Sequence, residues 1–187
     1  MASYPGEVRE DAASPSSAVP VQTRLMPAAL SDRSVIESLI ELYVHDLSVP
    51  FGIEIGPDGR FGYPDLDLYW REPERRFPFL IFERERLAGF ILARLGSPES
   101  ADPLTLDIAE YFVLRRHRRE GVGRRAAHAL WDRLPGRWTV RVLDRNAGAV
   151  TFWRRAVSDY TRGRFDERDV KRGAGLWHVL ELESTAR

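Results

Sequence analysis

Two glycines stand two positions apart near the middle of the chain, directly after a run of arginines. Residues 118–123 read RREGVG, and apolar residues recur at three-and-four spacing from Val122 onward, which predicts an amphipathic α-helix that begins here. The first turn of a helix presents unpaired backbone N–H groups and the positive end of the helix dipole. Because they lack a side chain, Gly121 and Gly123 let a ligand come close to that backbone. The pattern therefore predicts a site for the diphosphate of a cofactor.

Arginines crowd this loop and the start of the predicted helix: Arg115, Arg116, Arg118, Arg119, Arg124 and Arg125. Like charges at a helix N-terminus are unfavourable without an anion, because the helix dipole favours negative charge there. Bound phosphates would relieve the repulsion, which favours cofactor binding by residues 118–124 and, less strongly, by Arg115 and Arg125. The alternatives are a solvated surface or a nucleic-acid patch. The glycine pattern of a Rossmann loop and the Gly-Lys-Ser/Thr of a P-loop are both missing from the sequence.

A second short pattern follows one predicted strand later. Asn146, Ala149, Phe152 and Trp153 stand at the spacing Asn-x-x-Ala-x-x-Phe-Trp, after the strand-like residues 137–143. Together with Arg-x-x-Gly-x-Gly, this pattern resembles the GNAT acetyltransferase superfamily, whose motifs are Arg/Gln-x-x-Gly-x-Gly/Ala and Asn-x-x-Ala-x-x-Phe-Tyr. The resemblance covers residues 104–156.

The resemblance implies a fold and an activity. The implied fold is α/β: a single GNAT-like domain with a mixed, mostly antiparallel sheet of six to seven strands, flanked by helices and with a splayed central strand. The implied activity is acetyl-CoA-dependent N-acetyl transfer to a primary amine, by direct attack of the amine on the thioester. Acetyl-CoA is then a cosubstrate, and the acceptor is a small-molecule or peptide amine. The residues expected to bind the cosubstrate are Phe112, Val113, Leu114, Arg118, Arg119, Glu120, Gly121, Val122, Gly123, Arg124, Asn146 and Phe152.

Direct attack needs a deprotonated amine and a polarised carbonyl oxygen. In the family, a carboxylate on the strand before the glycine loop often takes the proton, and Glu110 is the only carboxylate in the core of the predicted strand 105–113. A glutamate buried on a strand should have a raised pKa, which brings it nearer to a useful catalytic base. The alternative role for Glu110 is an ion pair with a neighbouring arginine. The resemblance assigns carbonyl polarisation to backbone N–H groups around residues 112–114.

The sequence departs from the family pattern at three places. Trp153 replaces the tyrosine that often protonates the leaving thiolate, and because an indole N–H is a poor acid, that proton must come from water, Tyr160 or Tyr111. Arg115 replaces the family's proline before the loop. The usual Gly-Phe after the second motif is also missing. These departures leave diphosphate binding untouched but leave the proton relay unassigned.

Hydrophobic patterns predict the order of the elements. Residues 1–20 are rich in Ser, Pro and Ala, which predicts a flexible tail, and residues 21–187 form the predicted domain. The domain begins with a strand at 21–25 and a helix at 35–47 that Ser31 or Asp32 can cap. The later elements are a β-hairpin of 77–82 and 87–95, strand 105–113, the helix from Val122, strand 137–143, helix 147–156, and strands 161–167 and 176–182.

Residues 46–75 lose helical periodicity and are rich in Gly, Pro, aromatic and acidic residues, with a short helix predicted at 64–70. The segment carries seven carboxylates against three arginines. In the family this region commonly lines the acceptor site. An acidic and aromatic lip would favour a cationic amine, although a solvated loop explains most of these carboxylates equally well.

The amino-acid composition argues against several classes of function. The chain of 187 residues fits one domain, and 28 basic residues balance 28 acidic ones, so total charge gives no reason to expect nucleic acid or membrane as a partner. With no cysteine, the chain can form no disulfide, thiolate metal site or Cys-bound acyl intermediate. The four histidines show no ligand spacing, and no metal site is predicted. No apolar run reaches the ~20 residues of a membrane span. A cytoplasmic protein is expected, and a homodimer is left open.

Two other functions remain open from the sequence. The chain could be a non-catalytic domain that binds acyl-CoA as a sensor or scaffold, since the usual tyrosine is missing. It could also bind nucleic acid through the arginine cluster, which would make the affinity steeply dependent on salt.

Overall fold

The computed structural model describes residues 23–173 and 175–185, so the predicted tail at residues 1–20 lies outside the described residues. The strands are β1 (Thr23–Pro27), β2 (Arg76–Glu83), β3 (Arg86–Leu95), β4 (Leu106–Val113), β5 (Gly136–Leu143), β6 (Asp166–Arg172) and β7 (Gly175–Ser184). The α-helices are α1 (Arg33–Phe51), α2 (Leu68–Arg71), α3 (Val122–Arg133) and α4 (Ala147–Thr161). Short 3-10 turns lie at Leu30–Asp32 and Arg115–His117.

The seven strands form one sheet in the order β1-β2-β3-β4-β5-β7-β6. Every neighbouring pair is antiparallel except β4 and β5, which are parallel. One hydrophobic cluster joins the sheet to α3 and α4, and a second joins it to α1 and α2. The predicted α/β class, mixed sheet and flanking helices are therefore confirmed.

The β2-β3 hairpin shows how local sequence sets the register of the sheet. Its two turn residues, Arg84 and Glu85, both have positive φ, at 48° and 64°, as a two-residue hairpin turn requires. In β3, a Cβ on Gly89 would lie 2.0 Å from the carbonyl oxygen of Phe112. Only glycine lets β3 and β4 approach this closely, and that approach fixes β4 at the centre of the sheet.

Helix α1 is longer than the sequence predicted. It runs to Phe51, with Pro50 in its last turn, and ends at Gly52, whose φ of 65° is left-handed. The apolar period fades after residue 46 because the last turns of α1 line a cleft instead of the core. The predicted capping was also wrong: no side chain caps α1, and the Asp32 carboxylate accepts the Ala29 N–H at 2.9 Å.

The strand predicted at 161–167 is wrong in position. Helix α4 continues to Thr161, and β6 begins at Asp166. Strand β6 lies at the edge of the sheet and is mostly exposed, so its sequence, DERDVKR, lacks the apolar residues by which strands are recognised. Within the described residues, none of the helices combines the length and the apolar character needed to span a membrane.

Candidate active site

A cleft opens where the two parallel strands separate. Strands β4 and β5 pair only over Leu106–Ile108 and Trp138–Val140, and beyond these residues the ladder stops. The resulting cavity has a volume of about 450 Å³. Its lining residues are Tyr43, Val44, Leu47, Phe51, Ile53, Phe61, Gly62, Tyr63, Ile108, Ala109, Glu110, Tyr111, Val140, Arg141, Val142, Leu143, Asn146, Ala149, Trp153 and Trp177. The predicted splayed central strand is thus present, and its separation from β5 opens the cleft.

The cleft has two ends with different neighbours. One end lies next to α3 and α4, with Tyr111, Asn146, Ala149 and Trp153, and is named the donor end after the role proposed for it under Proposed function. The other lies next to α1, residues 52–63 and the start of β7 and is named the acceptor end in the same way; its residues are Tyr43, Leu47, Phe51, Ile53, Phe61, Tyr63 and Trp177.

A β-bulge turns Glu110 into the cleft. Leu92 of β3 pairs with Glu110, but Ala93 pairs with Ile108, so Ala109 has no partner in the register. As a result, consecutive side chains point the same way: Ala109 packs against the cluster around α1, and Glu110 bonds to residues of that same side. The sequence contained no signal for this bulge, because it depends on the pairing with β3.

Glu110 is held by two tyrosines. The Tyr43 hydroxyl donates to Oε2 at 2.6 Å, and the Tyr63 hydroxyl donates to Oε1 at 2.9 Å. Burial at the floor of the cleft raises the pKa of Glu110, although the two hydrogen bonds oppose part of this shift. Burial and the nearby Glu110 charge also raise the pKa values of Tyr43 and Tyr63, so both phenols stay protonated as donors.

Sequence reasoning missed the role of both tyrosines. The pattern of α1 predicts Tyr43 as a core residue, and Tyr63 belongs to a turn-prone stretch. They lie 67 and 47 residues from Glu110 in the chain, so no local pattern could have connected them to it.

The ion-pair role considered for Glu110 belongs to Asp107 instead. The fully buried Asp107 carboxylate accepts Arg141 Nε and Nη2, both at 2.9 Å, and Arg94 Nε at 3.1 Å. Glu110 forms no ion pair with any described residue. The pairing of Asp107 explains how a charge can be fully buried, because two guanidinium groups satisfy it.

The glycine loop has the geometry of an anion site. Gly121 has a φ of 77°, and Arg119 is also left-handed at 65°. The Arg125 N–H donates to the Gly121 carbonyl at 3.0 Å, which closes the first turn of α3. The N–H groups of residues 121–124 precede that bond and have no partner among the described residues. These free donors at the start of a 12-residue helix fit a diphosphate.

Close packing against α4 favours glycine at position 123. A Cβ at this position would lie 3.2 Å from the ring of Phe152 in α4. Asn146 begins the same helix, and its Oδ1 accepts the Ala149 N–H at 3.2 Å. The second motif therefore packs α4 against the first turn of α3. Of the two motif residues expected to bind cosubstrate, Asn146 lines the cleft, whereas Phe152 is outside its lining.

The arginine cluster divides into separate roles. Arg115 and Arg118 both pair with Asp46 of α1, each at 2.6 Å. Arg118 Nε also donates to the Val113 carbonyl at 2.7 Å. Burial would raise the pKa of Asp46, but the bonds from the two arginines outweigh that effect and lower it. In the absence of a ligand, Asp46 therefore supplies the negative charge that the loop needs.

The other arginines of the cluster differ from this pair. Arg124 pairs with Asp159 of α4 at 2.8 Å. Arg125 donates to Thr23 and Glu83, which ties α3 to β1 and β2 and gives it a structural role. Arg116 and Arg119 form no ion pair with a described residue and are exposed. Arg119 thus offers its charge beside the glycines.

The last residues of β4 point alternate backbone N–H groups toward β5, although Phe112, Val113 and Leu114 do not themselves line the cleft. The Leu114 N–H is already bonded to the Ala88 carbonyl of β3 at 2.8 Å, so it cannot polarise a substrate. Neighbouring residues of a strand point their N–H and C=O groups to opposite sides. The Val113 carbonyl accepts a hydrogen bond from Arg118 and none from β3. Because Leu114 faces β3, the N–H group of its neighbour Val113 lies on the opposite side, which faces β5.

Neither tyrosine suggested as a proton donor is free in the structure. Tyr160 donates to Asp132 at 2.9 Å, between α4 and α3, and is outside the cleft lining. Tyr111 lines the cleft, but its hydroxyl donates to the Gly123 carbonyl, and burial raises its pKa. Trp153 lies against the Tyr111 ring, with the ring centroids 4.8 Å apart.

The acidic and aromatic residues of 46–75 are separated in space. Phe51, Phe61 and Tyr63 line the cleft, as expected for an aromatic lip. None of the seven carboxylates lines it. Asp46, for example, pairs with the loop arginines, and Asp67 pairs with Arg33 at 2.7 Å. The acidic part of the predicted lip is therefore absent from the cleft lining, although Asp58 lines a neighbouring cavity that shares Phe61, Gly62 and Tyr63 with the cleft.

His178 has more partners than the sequence suggested. Its Nε2 lies 3.0 Å from Asp144 and its Nδ1 lies 2.8 Å from Asp169, and these bonds raise its pKa. Ligand atoms of Glu167, Asp169 and His178 lie within 4.8 Å of one another. Arg154 already pairs with Glu167 at 2.6 Å, so this cluster has its own internal cation.

Comparison with known proteins agrees with the geometry. The model of the acetyltransferase (GNAT) family matches residues 36–157. An acetyltransferase from Thermus thermophilus is 25% identical, with a TM-score of 0.59 and coverage of 87% of this chain and 98% of that one. A search of curated proteins found no significant match.

Two more distant structures share the fold. Spermidine N-acetyltransferase from Vibrio cholerae, solved with CoA and spermine, is 13% identical, with a TM-score of 0.60 and coverage of 87% and 96%. The yncA protein from Salmonella typhimurium, solved with acetyl-CoA, is 17% identical, with a TM-score of 0.56 and coverage of 86% and 93%. The family model matches well over half of the chain, and the seven-stranded sheet has a splayed centre. This protein therefore belongs to the GNAT acetyltransferase family.

Proposed function

We propose that the protein is an N-acetyltransferase that moves the acetyl group of acetyl-CoA to a primary amine by direct attack on the thioester. The observation that carries the proposal is Glu110, a carboxylate with a raised pKa at the floor of a cleft between diverging strands. Family membership supports the reaction type, and the solved relatives with bound CoA or acetyl-CoA support the donor.

The donor is held at the donor end of the cleft. Its diphosphate accepts the free N–H groups of residues 121–124, with Arg118 and Arg119 as counter-charges. Asn146 faces the cleft from the start of α4. Phe112, Val113 and Leu114 flank the donor through the strand. Among them only the Val113 N–H is proposed as a polarising donor, because the Leu114 N–H is occupied.

In the reaction, the amine nitrogen attacks the thioester carbonyl carbon. A C–N bond forms, the C–S bond breaks, and the electron pair of that bond leaves on the CoA sulfur. Glu110 accepts the proton that the amine nitrogen loses, while the Val113 N–H stabilises the carbonyl oxygen as it gains negative charge. No covalent enzyme intermediate is needed, in agreement with the lack of cysteine.

The leaving thiolate takes its proton from water. Trp153 occupies the motif position where the family has tyrosine, and the Tyr111 hydroxyl is bonded to a carbonyl with its pKa raised. Water reaching the cleft can fill this role without a dedicated side chain. The proton that Glu110 takes from the amine returns to solvent, which balances the proton that solvent gives to the thiolate.

The test is to mix the protein with acetyl-CoA and a panel of primary amines, and to follow free thiol with a thiol reagent. Because the protein contains no cysteine, every thiol that appears belongs to released CoA. Release that depends on an added amine, with acetylated amine found by mass spectrometry, supports the proposal. Tight CoA binding without amine-dependent release would favour a non-catalytic acyl-CoA sensor instead.

A further inference from the structure

We propose that the acceptor is a primary amine carried on an uncharged aromatic body, such as a phenylethyl group, and not a polycation. This inference rests on the proposed function and concerns the acceptor end of the cleft. That end is walled by the aromatic residues Tyr43, Phe51, Phe61, Tyr63 and Trp177, together with Leu47 and Ile53.

Charge at the cleft supports this acceptor class. Among the described residues that line it, only Glu110 and Arg141 are charged. Arg141 is already bound to Asp107 through Nε and Nη2, so Glu110 is the one carboxylate that faces an incoming amine. A second ammonium group on the same acceptor would be buried without a partner, which is unfavourable.

Two carboxylates near the acceptor end are occupied elsewhere. Glu41 accepts the backbone N–H groups of Phe61 and Gly62, at 2.8 and 3.2 Å, and so holds residues 61–62 against α1. Asp46 is bound by two arginines. These two acids shape the acceptor end without lining it.

The shape of the acceptor end fits a flat apolar group. The rings of Phe51 and Trp177 meet at the cleft with their centroids 6.5 Å apart. The apolar wall reaches the surface at Ile53, which lines the cleft and is 36% exposed. An aromatic ring can bury itself against these walls, while its amine reaches Glu110 at the floor.

The same features disfavour an acceptor with a carboxylate beside the amine. Such a group would lie close to Glu110, which carries a negative charge when it works as the base. Arg141 cannot fully compensate, because Asp107 already occupies two of its three nitrogen atoms. An aromatic amine should therefore be a better acceptor than the matching aromatic amino acid.

The experiment compares kcat/KM for 2-phenylethylamine, ethylamine, 1,4-diaminobutane and phenylalanine with the wild-type protein. We expect 2-phenylethylamine to exceed each of the others by roughly tenfold or more, the effect of burying an aromatic group. If 1,4-diaminobutane or phenylalanine is preferred, this inference is overturned while the proposed N-acetyltransferase function stands. If no amine is acetylated at all, both fail, and CoA binding measured separately then tests the sensor alternative.

Substitutions in the wall of the acceptor end test which side chains cause the preference for 2-phenylethylamine. Phe51→Ala should reduce kcat/KM for 2-phenylethylamine by roughly tenfold more than it reduces the value for ethylamine. The control is Leu42→Ala on the same helix, because Leu42 is 51% exposed and does not line the cleft. A Phe51→Ala protein that loses activity equally toward both amines, or that keeps its full preference, contradicts the proposed wall. Trp177→Leu is a second, independent test of the same wall.

Discussion

The glycine loop, residues 118–124, is one continuous stretch of chain, whereas the acceptor end of the cleft is assembled from side chains far apart in sequence. In the proposed function, consecutive backbone N–H groups of residues 121–124 bind the diphosphate of the donor, and the two nearby glycines permit its approach. At the acceptor end, α1, the segment after it and β7 each contribute one or a few side chains.

This difference explains why the glycine loop could be recognised from the sequence and the acceptor end could not. Backbone donors on a helix start need a particular local geometry, so their sequence is restricted to glycine at defined positions. The acceptor end needs only a carboxylate at the floor and walls of suitable shape. Different side chains can supply those walls without disturbing the donor end, and the following substitutions test that separation.

The largest effect is expected at Glu110, where the two ends meet. Glu110→Gln keeps the size of the side chain but removes the proton acceptor, so kcat should fall by ~10²- to 10⁴-fold, as is usual for a catalytic base. CoA affinity, measured by calorimetry, should barely change. A variant with wild-type kcat at neutral pH would falsify the base assignment. A loss of thermal stability with normal activity would show that Glu110 is structural.

A large effect is also expected at Gly121, within the donor end alone. At a φ of 77°, valine is strained by about 1–3 kcal/mol, so the loop of Gly121→Val should adopt another conformation that CoA binding must reverse. That cost lowers CoA affinity by roughly 5- to 150-fold. Gly148→Val in α4 is the control, because its Cβ would enter open space and its φ is not left-handed. Equal CoA affinity in both variants would contradict the assignment of the glycine loop.

A smaller effect, seen mainly in the pH profile, is expected from the tyrosines of the acceptor end. Hydrogen bonds from Tyr43 and Tyr63 lower the pKa of Glu110 against the larger effect of burial. Tyr43→Phe or Tyr63→Phe should therefore raise that pKa further. Since activity needs ionised Glu110, activity is lost as pH falls through its pKa, and this loss should begin at higher pH in either variant. An unchanged acidic limb of kcat/KM would mean that the tyrosines do not influence the base.

The smallest effect is expected at Asp46, which joins α1 to the glycine loop. A diphosphate must compete with the Asp46 carboxylate for Arg115 and Arg118, so Asp46→Asn should raise CoA affinity by up to about 5-fold, the scale of a partly exposed ion pair. Asp67→Asn, which breaks a pair with Arg33 away from the loop, serves as the control. Weaker CoA binding in Asp46→Asn would show instead that the pair pre-positions Arg118.

The sequence by itself determined the local parts of the protein. Strand β4, the glycine turn and the start of α3 were predictable because strand propensity, helix periodicity and backbone freedom are properties of neighbouring residues. The same holds for the β2-β3 hairpin and for most of α4. Where a strand has no buried face, as in β6, the pattern is missing and the prediction was displaced by about five residues.

Only the tertiary structure decided which side chains meet. Glu110 faces the cleft because β3 imposes a bulge on β4, and its tyrosine partners come from 47 and 67 residues away. Asp46 reaches the glycine loop across 69 and 72 residues, and this pairing removed it from the predicted acidic lip. Such pairings depend on how strands and helices pack against one another. One-dimensional patterns record burial and periodicity, but they do not record which distant residue fills the opposite side of a cleft.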